Sequence, residues 1–191
     1  MTDIDWNFQL AEQLDWHWRG QLRPRLDGMT DAEYRWEPVP GAWNVRPRGT
    51  GTAPVTVGGG DFTIDYAMPE PDPPPVTTIA WRLGHIIVGV LGMRVASHFG
   101  GPPFDYATHD YAGDAATALA QLDAVYADWI AGVRGLDMAA LARPVGPAEG
   151  PWAEHPMAGL VFHINREMLH HGAEIGLLRD LYRWRFDGKG A

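Results

Sequence analysis

Apolar residues recur at every third or fourth position along the segment from His155 to Leu181. This spacing places them on one side of an α-helix and therefore predicts one long helix. Pro156 suits its first turn, where the missing N–H group is not needed. The predicted core side of the helix consists of these apolar residues: Met157, Leu160, Val161, Ile164, Met168, Ile175, Leu178 and Leu181.

Three other segments show helical periodicity of the same kind. The first is capped by Thr2 or Asp3 and ends or kinks at Pro24. The second runs from about residue 78 to 99, and the third from about 114 to 135. Four long amphipathic helices predict an all-α fold, specifically a four-helix bundle, in which sites are built from side chains on facing helices. We expect the chain, residues 1–191, to form a single domain.

The connection between the first and second predicted helices has a different composition. Residues 39–75 are rich in Gly and Pro, and two short runs, 53–57 and 61–66, flank three consecutive glycines. A small hairpin is compatible with this pattern. Loops of this length inside a compact protein are usually functional, so we expect the connection to cover part of the bundle. Just before it, Thr30 and Glu33 match a capping box and predict a short helical turn.

The composition excludes several kinds of chemistry. The chain of 191 residues contains no Cys, so a metal would be bound by His, Asp or Glu, and a reactive thiol would come from another molecule. A net charge of −9 disfavours nucleic acid and anionic membranes as partners. We expect no apolar stretch that approaches a membrane span and no signal peptide, and hence a cytoplasmic location.

Four polar residues of the last predicted helix project from roughly the same sector. They are His163, Glu167, His170 and His171, placed at about 100° per residue. Burying such groups without a partner is costly, and a metal ion would supply one. Catalytic zinc and similar ions take three protein ligands and leave a position open for water or substrate. His85 of the second predicted helix, together with Glu167 and His171, would provide such a set.

Spacing alone leaves other interpretations open. His163 could pair with Glu167, or Glu167 and His170 could act as a Glu-x-x-His motif. A di-iron site would need that motif twice, and the sequence contains it once. Taken alone, His85 is more typical of a hydrogen-bonded core histidine than of a ligand. His17, which has a tryptophan on each side, is more typical of an interfacial or core histidine.

Three segments resemble the DinB-like superfamily. They are Glu37–Val45, Thr77–His85 and Asn165–Leu181, which read EPVPGAWNV, TTIAWRLGH and NREMLHHGAEIGLLRDL. Within the superfamily, the chain is similar to the branch of mycothiol-dependent enzymes such as maleylpyruvate isomerase. The resemblance implies a four-helix bundle with a long crossing connection between helices one and two, and a homodimer.

The same resemblance implies a metal site formed by His85, Glu167 and His171. Many members of the superfamily carry histidine at the position of Glu167, and the glutamate resembles the mycothiol-dependent members. His170 is then a candidate to orient a ligand or to pack at the helix face. His163 is a candidate for the same role or for contact with a substrate.

Residues near the predicted site have structural as well as functional interpretations. Trp43 and Trp81 are candidate pocket walls, together with the long connection. Arg82 lies three residues before His85 and Arg166 directly before Glu167, so they could bind an anionic substrate or close ion pairs at the surface. Glu174 could hydrogen-bond a ligand histidine or pair with a cation at the surface.

The predicted function is activation of a low-molecular-weight thiol, of the mycothiol type by resemblance, in an S-transferase-like reaction. A divalent metal with an open position stabilises a thiolate, which then attacks a small electrophile. Zinc is the favoured metal, and nickel, iron and manganese also suit His/Glu/His ligation. Two alternatives stay open: a metal-dependent hydrolase that uses metal-bound water, and a non-catalytic, stress-associated metal-binding bundle.

Overall fold

A computed structural model describes residues 4–186 and residue 188. Within this part of the chain, helices are the main elements and three short strands form a sheet. Two of the long helices include π-helical segments. The helices are α1 (Trp6–His17, continued by the π-helical Trp18–Leu22 and by Arg23–Arg25), α2 (Asp31–Tyr34), α3 (Ile79–His85, the π-helical Ile86–Gly92 and Met93–Phe99), α4 (Ala115–Arg134), α5 (Met138–Ala142) and α6 (Met157–Phe186); a 3₁₀ helix covers Pro147–Trp152.

Helix α1 confirms the predicted first helix but begins with a different cap. The Asp5 carboxylate accepts a hydrogen bond from the backbone N–H of Phe8 at 3.0 Å. The predicted caps Thr2 and Asp3 lie outside the described residues. A π-helical segment precedes Pro24, which lacks an N–H group for the regular helical ladder, and the helix ends shortly after this proline.

Helix α3 agrees closely with its predicted bounds. The Thr78 hydroxyl accepts a hydrogen bond from the backbone N–H of Trp81 at 3.2 Å and so caps the first turn. Gly100 ends the helix with a φ of 72°, a left-handed conformation that glycine adopts without a steric penalty. The helix is therefore delimited by local chemistry at both ends.

By length and composition alone, helix α3 could cross a membrane. The expectation that no apolar stretch approaches a membrane span is therefore wrong by this criterion, which Ile79–Phe99 meets. In the structure, however, 67% of its most apolar stretch is buried inside the protein. This burial is what a central core helix requires, because its apolar side chains pack against neighbouring elements.

Helices α4 and α6 also follow the predicted pattern. Asp114 caps α4 by accepting a hydrogen bond from the backbone N–H of Thr117 at 2.8 Å. In α6, the predicted core residues are buried up to Ile175, whereas Leu178 is half-buried and Leu181 is 43% exposed. The assignment of Leu181 to the core is therefore wrong, because at about 100° per residue Leu181 lies about 120° around the helix from Ile175, outside its buried side.

The prediction of an all-α fold needs a correction, because the long connection forms a three-stranded antiparallel sheet. Its strands are β1 (Val45–Pro47), β2 (Val55–Val57) and β3 (Phe62–Tyr66), in the order β1-β3-β2. Ile64 at the centre of β3 faces Val45 on one side and Val57 on the other. The hairpin that the sequence pattern allowed corresponds to β2 and β3, and the sheet also contains β1. The described chain is mainly helical with one small sheet.

The sheet and the long helices share one core. Buried apolar side chains from α1, α3, α4, α6, β1 and β3 form one cluster. Helix α6 packs against both α1 and α3, and α4 packs against the same two helices. The Trp81 indole N–H donates to the backbone oxygen of Asp65 at 2.8 Å, which ties β3 to α3. The face of α3 that carries Trp81 and His85 is thereby held against its neighbours.

Candidate metal centre

The packing of α3 on α6 brings the three predicted ligands together. His85 lies at the end of the first segment of α3, and Glu167 and His171 lie on consecutive turns of α6. The ring centroids of His85 and His171 are 4.9 Å apart, and the rings meet edge to face. His171 Nε2 lies 3.3 Å from a carboxylate oxygen of Glu167. Two imidazoles and one carboxylate therefore converge, although their ligation of a metal stays a prediction.

Burial keeps His85 in the form that a metal ligand requires. Desolvation lowers the pKa of His85 to about 3, and the electrostatic interactions with His171 and Arg82 act in the same direction. At neutral pH the imidazole is uncharged and has a lone pair available. By accessible surface, His171 is buried, and His85 and Glu167 are half-buried.

Each histidine has a partner at Nδ1. His171 Nδ1 lies 2.7 Å from a carboxylate oxygen of Glu174, and His85 Nδ1 lies 2.8 Å from the hydroxyl of Tyr106. In the tautomer that donates from Nδ1, the Nε2 lone pair of each ring is free to bind a metal. Glu174 therefore contacts a predicted ligand, the first of its two predicted roles, and it also pairs with a cation, Arg82, at 3.0 Å.

Tyr106 was not predicted from the sequence. It lies in the irregular segment after α3, where no periodicity indicates which side chain turns back toward His85. Burial raises the pKa of Tyr106 to about 12, so its hydroxyl stays protonated at neutral pH. An uncharged hydroxyl can orient the imidazole without adding charge to the site.

The structure also forms a second group that overlaps with the predicted one. Ligand-type atoms of His170, His171 and Glu174 lie within 4.8 Å of one another, so this His/His/Glu group could hold a divalent metal. The two groups share His171 but differ in the ring nitrogen that faces their carboxylate. Glu167 of the predicted group lies beside Nε2, and Glu174 of the second group lies beside Nδ1. His170 is on the exposed side of α6, with 63% of its side chain accessible.

Of the two predicted tryptophans, Trp81 contacts His85 directly, whereas Trp43 contacts Trp81. The Trp81 ring stacks on the His85 ring, with centroids 5.4 Å apart and planes inclined by 16°. Trp43 contacts Trp81, with a centroid distance of 6.0 Å, and is one ring further away. Arg82 lies over the Trp81 ring and its Nε is 3.0 Å from Glu174. Arg82 is thus engaged in an ion pair, the structural role considered for it.

On the outer side of Glu167, two polar residues reach the same carboxylate. His163 Nδ1 lies 3.4 Å from Glu167 Oε1, and Arg166 Nε lies 3.7 Å from it. Arg166 also lies 2.6 Å from His163. By contrast, His17 pairs with Gln21 on α1, in accordance with its structural interpretation.

A cleft of about 550 Å³ opens on the side of His163 and Arg166. Its other walls include Arg94 of α3, and Glu149, Trp152 and His155 of the segment before α6. These four residues were not predicted as site residues. Glu149, Trp152 and His155 lie in a Gly/Pro-rich connection that folds back against Arg94 of α3, and hydrophobic periodicity does not reveal this path.

Comparison with known families identifies the class of protein. The model of the DinB superfamily matches residues 13–175, which cover most of the chain and include His85, Glu167 and His171. The chain therefore belongs to the DinB superfamily. No curated protein and no solved structure matches it significantly.

Proposed function

We propose that this protein is a metal-dependent enzyme that activates a low-molecular-weight thiol for attack on a small electrophile. The observation that carries the proposal is the convergence of His85, Glu167 and His171, with both histidines held at Nδ1 by other side chains. A divalent metal bound there would lower the pKa of a coordinated thiol and stabilise the thiolate. The chain contains no Cys, so the thiol would be a separate molecule.

Two observations favour His85, Glu167 and His171 as ligands over the group that contains His170. First, the Arg82 guanidinium lies 3.0 Å from Glu174, and a positive charge beside this carboxylate opposes a cation at the same oxygens. Second, carboxylates that hydrogen-bond the far nitrogen of a ligand histidine are a regular feature of metal sites. Glu174 fits that supporting role at 2.7 Å from His171 Nδ1.

The side chains around the site have distinct roles in this proposal. Glu174 and Tyr106 fix the orientation of the two imidazoles, since each lies within hydrogen-bond distance of Nδ1. Trp81 covers one face of His85 and limits the access of water. His163 and Arg166 border Glu167 on the open side, where a substrate would approach.

The resemblance to mycothiol-dependent enzymes supports more specific proposals about the thiol, the metal, the reaction and the assembly. We propose a mycothiol-type thiol, zinc as the favoured metal, and S-transfer as the reaction. We further propose that the four long helices form the four-helix bundle of a single domain, and that the protein acts in the cytoplasm as a homodimer. The excess of acidic residues supports a small-molecule function without nucleic acid or membrane partners.

Elemental analysis of the purified protein and three variants tests the site. We expect about one divalent ion per chain in the parent protein and in His170→Gln, and loss of the ion in His85→Ala and Glu167→Gln. Circular dichroism shows whether each variant keeps its helices. Loss of the metal in His170→Gln with retention in Glu167→Gln would assign the ion to the other group instead.

The thiol is tested with the metal-loaded protein. We expect consumption of an electrophile such as 1-chloro-2,4-dinitrobenzene to require both the metal and an added thiol, with mycothiol more effective than glutathione. A metal-dependent ester hydrolysis that proceeds without any thiol would contradict thiol activation and favour the hydrolase. A parent protein that binds no zinc, nickel, iron or manganese would exclude both enzymes.

A further inference from the structure

The cleft beside Glu167 is a feature of the structure that metal binding by the predicted ligands does not explain. Helix α3, the 3₁₀ helix and the first turns of α6 enclose it, and its volume is about 550 Å³. Small-molecule sites are usually concave and of this size, with apolar walls and a few polar groups. Trp152 and Leu160 provide apolar surface, and Arg94, His155, His163 and Arg166 provide nitrogen donors.

Part of the open space results from a glycine on the first turn of α6. Gly159 lines the cleft, and a Cβ atom added there would approach Pro156 at 3.9 Å, an ordinary contact distance. Alanine is more favourable than glycine inside a helix, and here no close contact excludes it. The absent side chain therefore does not serve packing, and its effect is to leave the cleft open.

One wall of the cleft holds a guanidinium in a fixed position. The Glu149 carboxylate lies 2.9 Å from His98 Nε2 and accepts a hydrogen bond from Arg94 at 3.1 Å. Arg94 also donates to the backbone oxygen of Gly89. Both oxygens of Glu149 are thus engaged, so the carboxylate positions Arg94 and its negative charge is compensated.

The opposite wall carries a cation that is more accessible. Arg166 has 70% of its side chain exposed and lies 3.7 Å from Glu167. With a divalent ion at the predicted ligands, the charge of Glu167 would be compensated, and Arg166 would add positive charge at the cleft. The chain as a whole has a net charge of −9, but this local balance of charge would favour an anion in the cleft.

We propose that the cleft binds a carboxylate-bearing substrate, with its carboxylate at Arg166 and its apolar body against Trp152 and Leu160. This inference rests on the proposed function and specifies the class of electrophile. Because His163 and Arg166 line the cleft and border Glu167, the bound molecule lies next to the predicted metal ligands. Guanidinium groups suit this role, since they bind carboxylates through two parallel hydrogen bonds.

Calorimetric titration with benzoate and benzamide tests the charge selectivity. The two probes have a similar apolar body and differ in charge. We expect benzoate to bind the metal-loaded parent protein at least about tenfold more tightly than benzamide, and Arg166→Gln to lose about tenfold in benzoate affinity. Arg183→Gln removes an exposed arginine elsewhere on α6 and is expected to leave binding unchanged. Equal binding of both probes, or unchanged benzoate binding in Arg166→Gln, would overturn the inference.

A second variant tests the location. Gly159→Leu is expected to fill the cleft and abolish benzoate binding, while the helical circular dichroism signal and the metal content are retained. Gly20→Leu is the matched control, because an added Cβ at Gly20 in α1 meets no atom of the described residues within 4 Å. Unchanged benzoate binding in Gly159→Leu would place the ligand elsewhere and contradict the inference.

Metal content separates this inference from the proposed function. The same titrations are made on protein treated with a chelator. Arg166-dependent benzoate binding in a protein that takes up no metal would support the cleft and reject the thiol-activating site. Stoichiometric metal without selectivity for benzoate would support the metal site and reject the cleft as a carboxylate site.

Discussion

Two polar clusters lie on helix α6, and they differ in how completely their groups are paired. The first is centred on Arg179, whose side chain is 1% exposed. Its guanidinium contacts both carboxylate oxygens of Glu33, at 2.6 and 3.1 Å, and the backbone oxygens of Arg25 and Asp27. Every charged group in this cluster faces a fixed partner within the protein.

The second cluster is centred on His171, two turns earlier on the same helix. His171 has one close partner, Glu174 at 2.7 Å. The other contacts are longer: Glu167 lies 3.3 Å from His171 and 3.4 Å from His163, beyond the usual hydrogen-bond range of about 2.7–3.2 Å. The carboxylate of Glu167 therefore lies among several nitrogen atoms without a short hydrogen bond to either imidazole.

The comparison separates polar groups that stabilise the fold from those that are available to a ligand. A buried ion pair with all its hydrogen bonds satisfied holds α6 against α2 and the end of α1, and adding a ligand there would break existing bonds. The incomplete pairing around Glu167 leaves acceptor capacity that a metal ion would use. The first cluster should therefore respond to mutation through stability, and the second through binding.

The largest expected effect is a loss of stability in the Arg179 cluster. Arg179→Met keeps most of the apolar stem but leaves Glu33 buried without its partner. We expect a decrease of about 3–5 kcal/mol in the free energy of unfolding, measured by urea denaturation. Arg183→Met, at an exposed position on the same helix, should change it by less than about 0.5 kcal/mol. Similar values for the two variants would show that the Arg179 cluster does not stabilise the fold.

The second effect is a gain of stability on metal binding, which the His171 cluster should show. At a free zinc concentration about a hundredfold above its Kd, binding to the native state adds about 2.7 kcal/mol. We expect thermal unfolding of the parent protein to shift upward with zinc, and no shift in Glu167→Gln. His170→Gln serves as the control and should keep the shift. A shift in Glu167→Gln as large as in the parent would remove Glu167 from the site.

Removing the carboxylate that orients His171 should have a smaller effect, a decrease in metal affinity. Glu174→Gln keeps the shape of the side chain but removes the negative charge beside His171 Nδ1. We expect metal affinity to fall by about 10–100-fold, because such supporting carboxylates orient the ring and raise its basicity. A competition titration with a chromophoric chelator measures this change. Complete loss of metal binding would indicate instead that Glu174 is itself a ligand, as in the group with His170.

The long helices could be predicted from the sequence because their signals are local. Periodic apolar residues and the caps Thr78 and Asp114 define α3 and α4 within a few residues. The strands carry a weaker local signal, because β1 and β2 are three residues long and show no alternation of buried and exposed residues. The exposed Leu181 was assigned to the core for a different reason: it is apolar, but at about 100° per residue it lies outside the buried side of α6.

The residues of the candidate site that lie on helices could be predicted from the sequence. The spacing of Glu167 and His171 places them on one face. His85 was proposed as the third group from its place on another helix, and the resemblance to the DinB-like superfamily implies the same residue. Tyr106 and the cleft residue Arg94 were not found, because their contacts depend on the path of irregular segments. Such contacts join residues that are distant in the sequence, and no periodic pattern encodes the distance between them.

The smallest expected effect concerns a further closed pairing, that of Glu149 with His98 and Arg94. The hydrogen bond from His98 outweighs the opposing effect of burial, and with the charge of Arg94 it lowers the pKa of Glu149 below its usual value of 4.5. A carboxyl group with a lowered pKa in the folded state stabilises the fold above pH 4.5, and this contribution is lost as the pH falls through the folded pKa. Glu149→Gln should therefore cost about 1–2 kcal/mol at pH 7 and flatten the decline in stability below pH 4.5. Urea denaturation between pH 3 and pH 7 measures both effects, and a variant that declines as steeply as the parent would show that Glu149 is not held by this pairing.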